Sequence, residues 1–322
     1  MDTKLVTAPL TLDKTGMPKN ALASEVAVVT GGSSNIGLGI SRSLAWLGAK
    51  VVIASRTSSL GTAAAEFINK ESGAGSALFV STDVGDEASM KNMARKAFDT
   101  FGKVDILVNN AMDMSLAAPI LKTTVAQMDR QYEIAVRGTL LGIQLFVPGM
   151  KDRKHGVVTF LSTAFRYPMG PGNYCAAKSA TCSMMMSLAN ELGPVKDSGV
   201  AVFTFLPTSV SRGRAVPPEP RDFIVARNMP GYEGPIPPED CGAAMAYCIH
   251  RAADIHGSGI MIGQAFRQMK WPFPKPETVP TRDYDRVNET VLSLMFGYMG
   301  SGFPDPIVPL VSINRKDGVP RP

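Results

Sequence analysis

Seven short apolar runs, each followed by a helical pattern, constrain the fold of this chain more than any other feature. They are Val26-Ala27-Val28-Val29, Val51-Val52-Ile53-Ala54, Ala77-Leu78-Phe79-Val80, Asp105 to Val108, Gly156 to Leu161, Val200 to Leu206 and Gly259 to Ile262. Successive apolar positions require burial on both faces, as in the interior strands of a parallel sheet. Between the runs the spacing becomes helical. After Asp86, which suits an N-cap, Met90, Met93, Ala94, Ala97, Phe98 and Phe101 share one stripe, and after the first run Ile36, Ile40, Leu44 and Leu47 do the same. The alternation over residues 25–267 predicts one α/β domain, a Rossmann-type doubly wound parallel sheet of seven strands.

With 322 residues, 45% of them hydrophobic, the chain can fill one large core and still carry extensions. Residues 1–24 read as an N-terminal extension and 268–322 as a Pro-rich C-terminal one, with a helical stretch from Asp283 to Tyr298. That tail is expected to wrap the domain or an adjacent subunit. Residues 208–238, rich in Pro, Gly and Arg, are too long for an ordinary connection and read as a loop over the substrate.

A net charge of +5 is mild, and the densest basic cluster, Lys151 to His155, contains Asp152, so it reads as a solvated helix end and no nucleic-acid partner is expected. No segment reaches the roughly 18 apolar residues of a membrane span, and none resembles a signal peptide. A cytoplasmic location and no membrane partner are the expectation. The four cysteines fall as Cys175/Cys182 and Cys241/Cys248, each pair seven residues apart on one helix face, and read as small buried residues. With three scattered histidines, no metal site is expected.

Directly after the first run stands Thr30-Gly31-Gly32-Ser33-Ser34-Asn35-Ile36-Gly37-Leu38-Gly39. A Gly-rich turn between strand and helix lets backbone approach a pyrophosphate, and the helix N-terminus offers unpaired N–H groups and a positive dipole end. Gly31, Ser33, Ser34, Asn35 and Ile36 are the candidate contacts. Asn35 stands where a glycine is usual, and asparagine tolerates left-handed backbone.

Further on, Tyr174-Cys175-Ala176-Ala177-Lys178 is the only Tyr-x-x-x-Lys in the chain, with Ser162 twelve residues before the tyrosine. On a helix this spacing places Tyr174 and Lys178 on one face, a turn apart. Together the turn, Asn109-Asn110-Ala111 after the fourth run and this triplet resemble the classical short-chain dehydrogenase/reductase family, over about three-quarters of the chain from Glu25 to Phe266. The resemblance implies a nicotinamide cofactor, a small-molecule substrate, and a homodimer or homotetramer. In such an enzyme the alkoxide left by hydride transfer must take a proton. A phenol with an ordinary pKa near 10 needs help to exchange one, which a nearby ammonium gives by favouring phenolate. Tyr174 is then the acid–base group, Lys178 its ammonium and a holder of the nicotinamide ribose, and Ser162 the hydrogen-bond donor to the substrate oxygen. The spacing from Ser162 is one residue shorter than usual, which leaves Thr163 as the alternative hydroxyl.

An acid ending the second strand would bind the ribose hydroxyls of NAD and repel a 2′-phosphate; Ser55-Arg56-Thr57 stands there instead. Ser55 and Arg56 therefore point to NADP(H) ahead of NAD(H). By resemblance, Asp83 and Val84 border the adenine, Asn109 steadies the sheet, Ala111 borders the adenosine ribose, and Pro207, Ser209 and Val210 lie at the nicotinamide.

Two departures touch the chemistry. Ala135 stands where many family members have an Asn that holds a relay water, and Thr208 replaces a glycine of the nicotinamide loop. Met112, Met114, Phe165, Tyr167 and Met169 suggest an apolar substrate. Arg212, Arg214, Arg221 and Arg227 in the long loop are read as solvated charges. The leading expectation is interconversion of alcohol and carbonyl. Reduction of a conjugated double bond would suit the missing Asn, and a non-catalytic NADP(H) sensor is the alternative of another class.

Overall fold

Strand β1 (Val26–Thr30) lies at the centre of the molecule, paired in parallel with β2 (Lys50–Ser55) on one side and β4 (Ile106–Asn109) on the other. This computed structural model describes residues 5, 7–10, 12–163, 171–207, 210 and 236–270. Within them β3 (Ala77–Ser81), β5 (Gly156–Leu161), β6 (Val200–Leu206) and β7 (Ser258–Met261) complete a seven-stranded sheet of order β3-β2-β1-β4-β5-β6-β7. The predicted strands all form, and every pairing between them is parallel. The order reverses between β1 and β4, which opens the crevice outside their carboxyl ends where ligands bind in such sheets.

The strands are flanked by α1 (Asn35–Trp46), α2 (Ser58–Ser72), α3 (Glu87–Phe101), α4 (Val125–Tyr132), α5 (Gly138–Asp152), α6 (Gly172–Leu192), α7 (Val195–Ser198), α8 (Pro238–His250) and α9 (Ile262–Gln268). The pleat divides the core in two. Ala27 and Val29 of β1 pack with Leu38 and Leu44 of α1, Ile68 of α2 and Met245 of α8. Val26 and Val28 face the other way, onto Met90 and Met93 of α3, Phe146 and Met150 of α5 and Met185 of α6. Each such side chain removed from water contributes about 1.5–3 kcal/mol, which is why double-sided apolar runs become interior strands.

Asp86 caps α3 by accepting from Ser89 N at 2.6 Å, as expected. The stripe on that helix is narrower than its spacing suggests. Met90, Met93, Ala94 and Ala97 are buried, whereas Phe98 is 38% exposed with its ring 5.8 Å from that of Phe146. The last strand is shifted by one residue, because Ile262 opens α9 instead of ending β7.

Residues ahead of β1 are tied into the domain. Leu12, Met17 and Leu22 join the α1 side of the core. The Thr7 hydroxyl and Ala8 N–H both donate to Glu239 at 2.8 Å. Arg42 of α1, 1% exposed, pairs with Glu71 at 2.7 Å and Glu239 at 3.3 Å, and so joins this segment to α2 and α8. At the amino ends of the central strands His155, just ahead of β5, pairs with Glu25, just ahead of β1, at 2.9 Å. The buried Asp105 beside them is already held by Lys103 at 2.8 Å and Arg153 at 3.2 Å, so its charge is balanced by protein cations. All four cysteines are buried thiols. Among the described residues no helix is long and apolar enough to cross a membrane. Residues 208–209 and 211–235 of the long loop, with Thr208, Ser209 and the four loop arginines, and the C-terminal tail from 271 onward lie outside the described residues; so do Phe165, Tyr167 and Met169.

Candidate active site

The turn after β1 is built by backbone geometry that only some residues tolerate. Gly31 has φ 65° and Asn35 φ 46°, so the asparagine takes the left-handed conformation that its position demands. A Cβ on Gly37 would lie 2.1 Å from the Gly31 carbonyl oxygen, which leaves room there for hydrogen alone. Thr30 and Asn110 brace the turn across the switch point. The Thr30 hydroxyl accepts from Asn110 N at 2.9 Å and Ala111 N at 3.0 Å, and Asn110 Nδ2 donates to the Thr30 carbonyl at 2.8 Å. Asn109 Nδ2 donates to the Thr159 carbonyl at 3.3 Å, joining β4 to β5 as expected.

These residues fit a dinucleotide. Ser34, the N-cap of α1, makes no side-chain cap, so the first-turn N–H groups have no side-chain acceptor from it. Ser33 is buried beside it. The Ser55 hydroxyl at the end of β2 is buried with no hydrogen-bond partner among the described residues. Such an orphaned group in a crevice is what a ligand oxygen would satisfy.

Arg56 projects from the end of β2, 52% exposed, and pairs with Asp113 at 2.7 Å. Partial burial opposes ionisation of Asp113, but hydrogen bonds from Ser115 and Arg56 outweigh it and hold the carboxyl below its ordinary range. Asp83 sits at the end of β3 with one oxygen accepting from Gly85 N at 2.9 Å and the other paired with Arg130. Val84 is buried next to it. Pro207 ends β6, and Val210 bridges to Ile236.

At the carboxyl end of β5 the chain presents Ser162 and then Thr163. The two hydroxyls differ in surroundings. Ser162 Oγ is buried beside the Cys182 thiol and has no hydrogen bond of ordinary geometry among the described residues. The Thr163 hydroxyl is the one that acts on the Tyr174 phenol, favouring its ionised form. Tyr174 and Lys178 lie on α6, and the Lys178 ammonium reaches back to the Leu161 carbonyl. Its nitrogen stands 4.4 Å over the Phe160 ring and 5.9 Å from the Tyr174 ring centroid.

The electrostatics correct one expectation. Burial pushes the Tyr174 phenol up to about 12, against a smaller opposing effect of the Thr163 hydroxyl, and Lys178 does not bring it down. Burial likewise drives Lys178 down to about 8. With its own pKa driven down to about 8, Lys178 is neutral in the range where the phenol ionises, so it offers no charge to favour phenolate there. Desolvation then governs both groups.

Two further features escape sequence reading. Asn173, fully buried, accepts from Ala118 N at 2.9 Å and Tyr174 N at 2.8 Å while donating to the Leu116 carbonyl at 2.7 Å. It thereby ties the segment after β4 to the start of α6, next to Tyr174. Its only signal is an asparagine adjoining Tyr174. Ala135 lies in a π-helical turn, Glu133–Arg137, between α4 and α5 and packed against α6. Such turns insert one residue into the helical ladder and recur at functional sites.

The short chain dehydrogenase model matches residues 25–216. An uncharacterized oxidoreductase of Thermotoga maritima is 35% identical over 53% of this chain and 66% of its own length. An uncharacterized oxidoreductase of Staphylococcus aureus is 28% identical over 75% of this chain and 97% of its own length. Among solved structures, a short chain dehydrogenase/reductase family protein superposes with TM-score 0.62 at 30% identity, over 75% of this chain and 96% of that one.

Proposed function

Because the chain belongs to the short-chain dehydrogenase family and is an oxidoreductase working with a nicotinamide cofactor, we propose that it uses NADP(H) to interconvert an alcohol and a carbonyl on a mainly apolar small molecule. The observation that carries this reading is that Lys178, on one helix with Tyr174, is tied to the end of β5, at the same carboxyl end of the parallel sheet as the turn from Gly31 to Asn35.

Gly31, Ser33, Ser34, Asn35 and Ile36 would hold the pyrophosphate, and Ser55 and Arg56 the 2′-phosphorylated ribose. Asp83, Val84, Asn109 and Ala111 would border the adenosine, and Pro207, Ser209 and Val210 the nicotinamide. When bound, such a cofactor supplies the hydride. Tyr174 donates its hydroxyl proton to the oxygen of the carbonyl being reduced, and a hydroxyl from the end of β5 hydrogen-bonds that oxygen. Ser162 holds this role by resemblance; the influence of the Thr163 hydroxyl on the Tyr174 phenol supports Thr163 in it. Lys178 orients the cofactor's ribose. A phenol raised to about 12 is protonated at neutral pH, the form that reduction requires. A homodimer or homotetramer in the cytoplasm accompanies this reading, on resemblance.

Ala135, without a side chain able to hold a relay water, favours a second reading, reduction of a conjugated carbon–carbon double bond. Ketones, alcohols and enones offered with NADPH or NADP, followed by absorbance and product analysis, separate the two. Turnover confined to ketones and alcohols supports the first reading, and turnover confined to enones supports the second.

A further inference from the structure

Arg56 follows β2 and Asp113 follows β4, the two strands that flank β1. Their 2.7 Å ion pair therefore crosses the carboxyl end of β1, over the start of the turn that carries Gly31. Asp113 is fixed for this contact on three sides. One carboxylate oxygen accepts from Ser115 N at 3.0 Å and from the Ser115 hydroxyl at 2.6 Å, which leaves the other for Arg56. Its main-chain carbonyl accepts from the buried Gln131 of α4 at 3.1 Å. Arg56, by contrast, is half exposed, and its side-chain partner among the described residues is Asp113.

We propose that Asp113 is a specificity-determining residue for the cofactor: it is a standing, displaceable partner of Arg56 that competes with a ribose 2′-phosphate for the guanidinium and so moderates the preference for NADP(H) over NAD(H). The proposal rests on the NADP(H) reading of Arg56. An exposed carboxylate–guanidinium pair is weak. A phosphate dianion offers more charge and a bidentate fit to the planar fork of arginine. The exchange of Asp113 for phosphate is therefore favourable. A ribose hydroxyl cannot compete, and NAD(H) gains nothing from Arg56 while meeting the closed pair. Asp113 also repels an incoming 2′-phosphate, so it lowers both the affinity for the 2′-phosphorylated cofactor and the margin by which that cofactor is preferred.

The test uses the adenosine ends alone, 2′,5′-ADP and 5′-AMP, titrated calorimetrically into the full-length protein and into Arg56→Ala, Asp113→Asn and the double variant. Asparagine keeps the oxygen that accepts from Ser115 and removes only the acceptor for Arg56; thermal melts confirm the fold, and Asp113→Ala must change binding in the same direction. The wild type should prefer 2′,5′-ADP, and Arg56→Ala should erase that preference. Asp113→Asn should tighten 2′,5′-ADP roughly three- to tenfold and 5′-AMP less than twofold. In the Arg56→Ala background the same change should fall below twofold, the coupling that a merely structural role would not produce. If Asp113→Asn leaves 2′,5′-ADP binding unchanged or weaker while Arg56→Ala still erases the preference, the selecting role of Asp113 is wrong and the NADP(H) reading stands. If the wild type shows no preference for 2′,5′-ADP, or Arg56→Ala weakens both ligands equally, the NADP(H) reading fails and the proposal fails with it.

Discussion

The Lys178 ammonium is bound to the carbonyl of Leu161, the last residue of β5, and so anchors α6 to the strand that presents Ser162 and Thr163. The lysine is thus a structural tie as well as a charge. Its burial costs stability, and the pH dependence of that cost follows from the direction of the shift.

Lys178 sits at about 8 in the folded protein against its ordinary 10.5. Below pH 8 both folded and unfolded chains carry the proton, and the penalty for burying the charge, about 3 kcal/mol, is present in full. Between pH 8 and 10.5 the unfolded chain holds a proton that the folded one has released, so this group's contribution to stability rises with pH. Lys178→Met should therefore be more stable than wild type in urea at pH 7, by up to about 3 kcal/mol, with the gain shrinking towards pH 10. Tyr174 carries the opposite sign: raised to about 12, it makes the folded state lose stability above pH 10.

The two hydroxyls at the end of β5 are separable by kinetics. Thr163→Val should lower kcat about 10²- to 10³-fold, the usual loss when one donor to a developing oxyanion is removed. Ser162→Ala should cost less than about tenfold, because that hydroxyl stands beside Cys182. Steady-state assays with NADPH decide it, and the reverse ranking would return the role to Ser162.

Asn35 takes φ 46°, where a Cβ without a polar side chain is disfavoured. Asn35→Ala should lower stability by about 1 kcal/mol and weaken NADPH binding, whereas Asn35→Gly should retain both. Urea unfolding and fluorescence titration check the pair. Equal effects of the two substitutions would mean that the asparagine side chain, not its backbone conformation, matters to the turn.

A raised phenol also sets the pH course of catalysis. The reductive direction should change little between pH 6 and 8, since Tyr174 stays protonated there, while alcohol oxidation should rise with pH as phenolate becomes available. Initial rates in both directions test this. A reductive rate that falls tenfold per unit through neutrality would show that bound ligands bring the phenol into that range.

The sheet was legible because double-sided burial leaves a local signature, as at Val51 to Ala54, and the turn because strand, glycines and helix are contiguous in the chain. The pairing of Tyr174 with Lys178 on one helix face was legible for the same reason. What escaped depends on contacts between distant segments. Arg56 meets Asp113 across β1, and Asn173 joins Leu116 and Ala118 from another element. Neither has a periodicity or motif to announce it. The direction of the Tyr174 shift escapes the sequence because spacing places an ammonium near a phenol but does not say how deeply both are buried.

The account turns on Tyr174 as the proton donor, and Tyr174→Phe tests it most directly. With NADPH and any ketone that the wild type reduces, kcat should fall about 10²- to 10⁴-fold, while the dissociation constant for NADPH stays within about twofold, because the phenylalanine ring keeps the packing and loses only the hydroxyl. Turnover retained within tenfold of wild type, with NADPH still bound, would contradict the account.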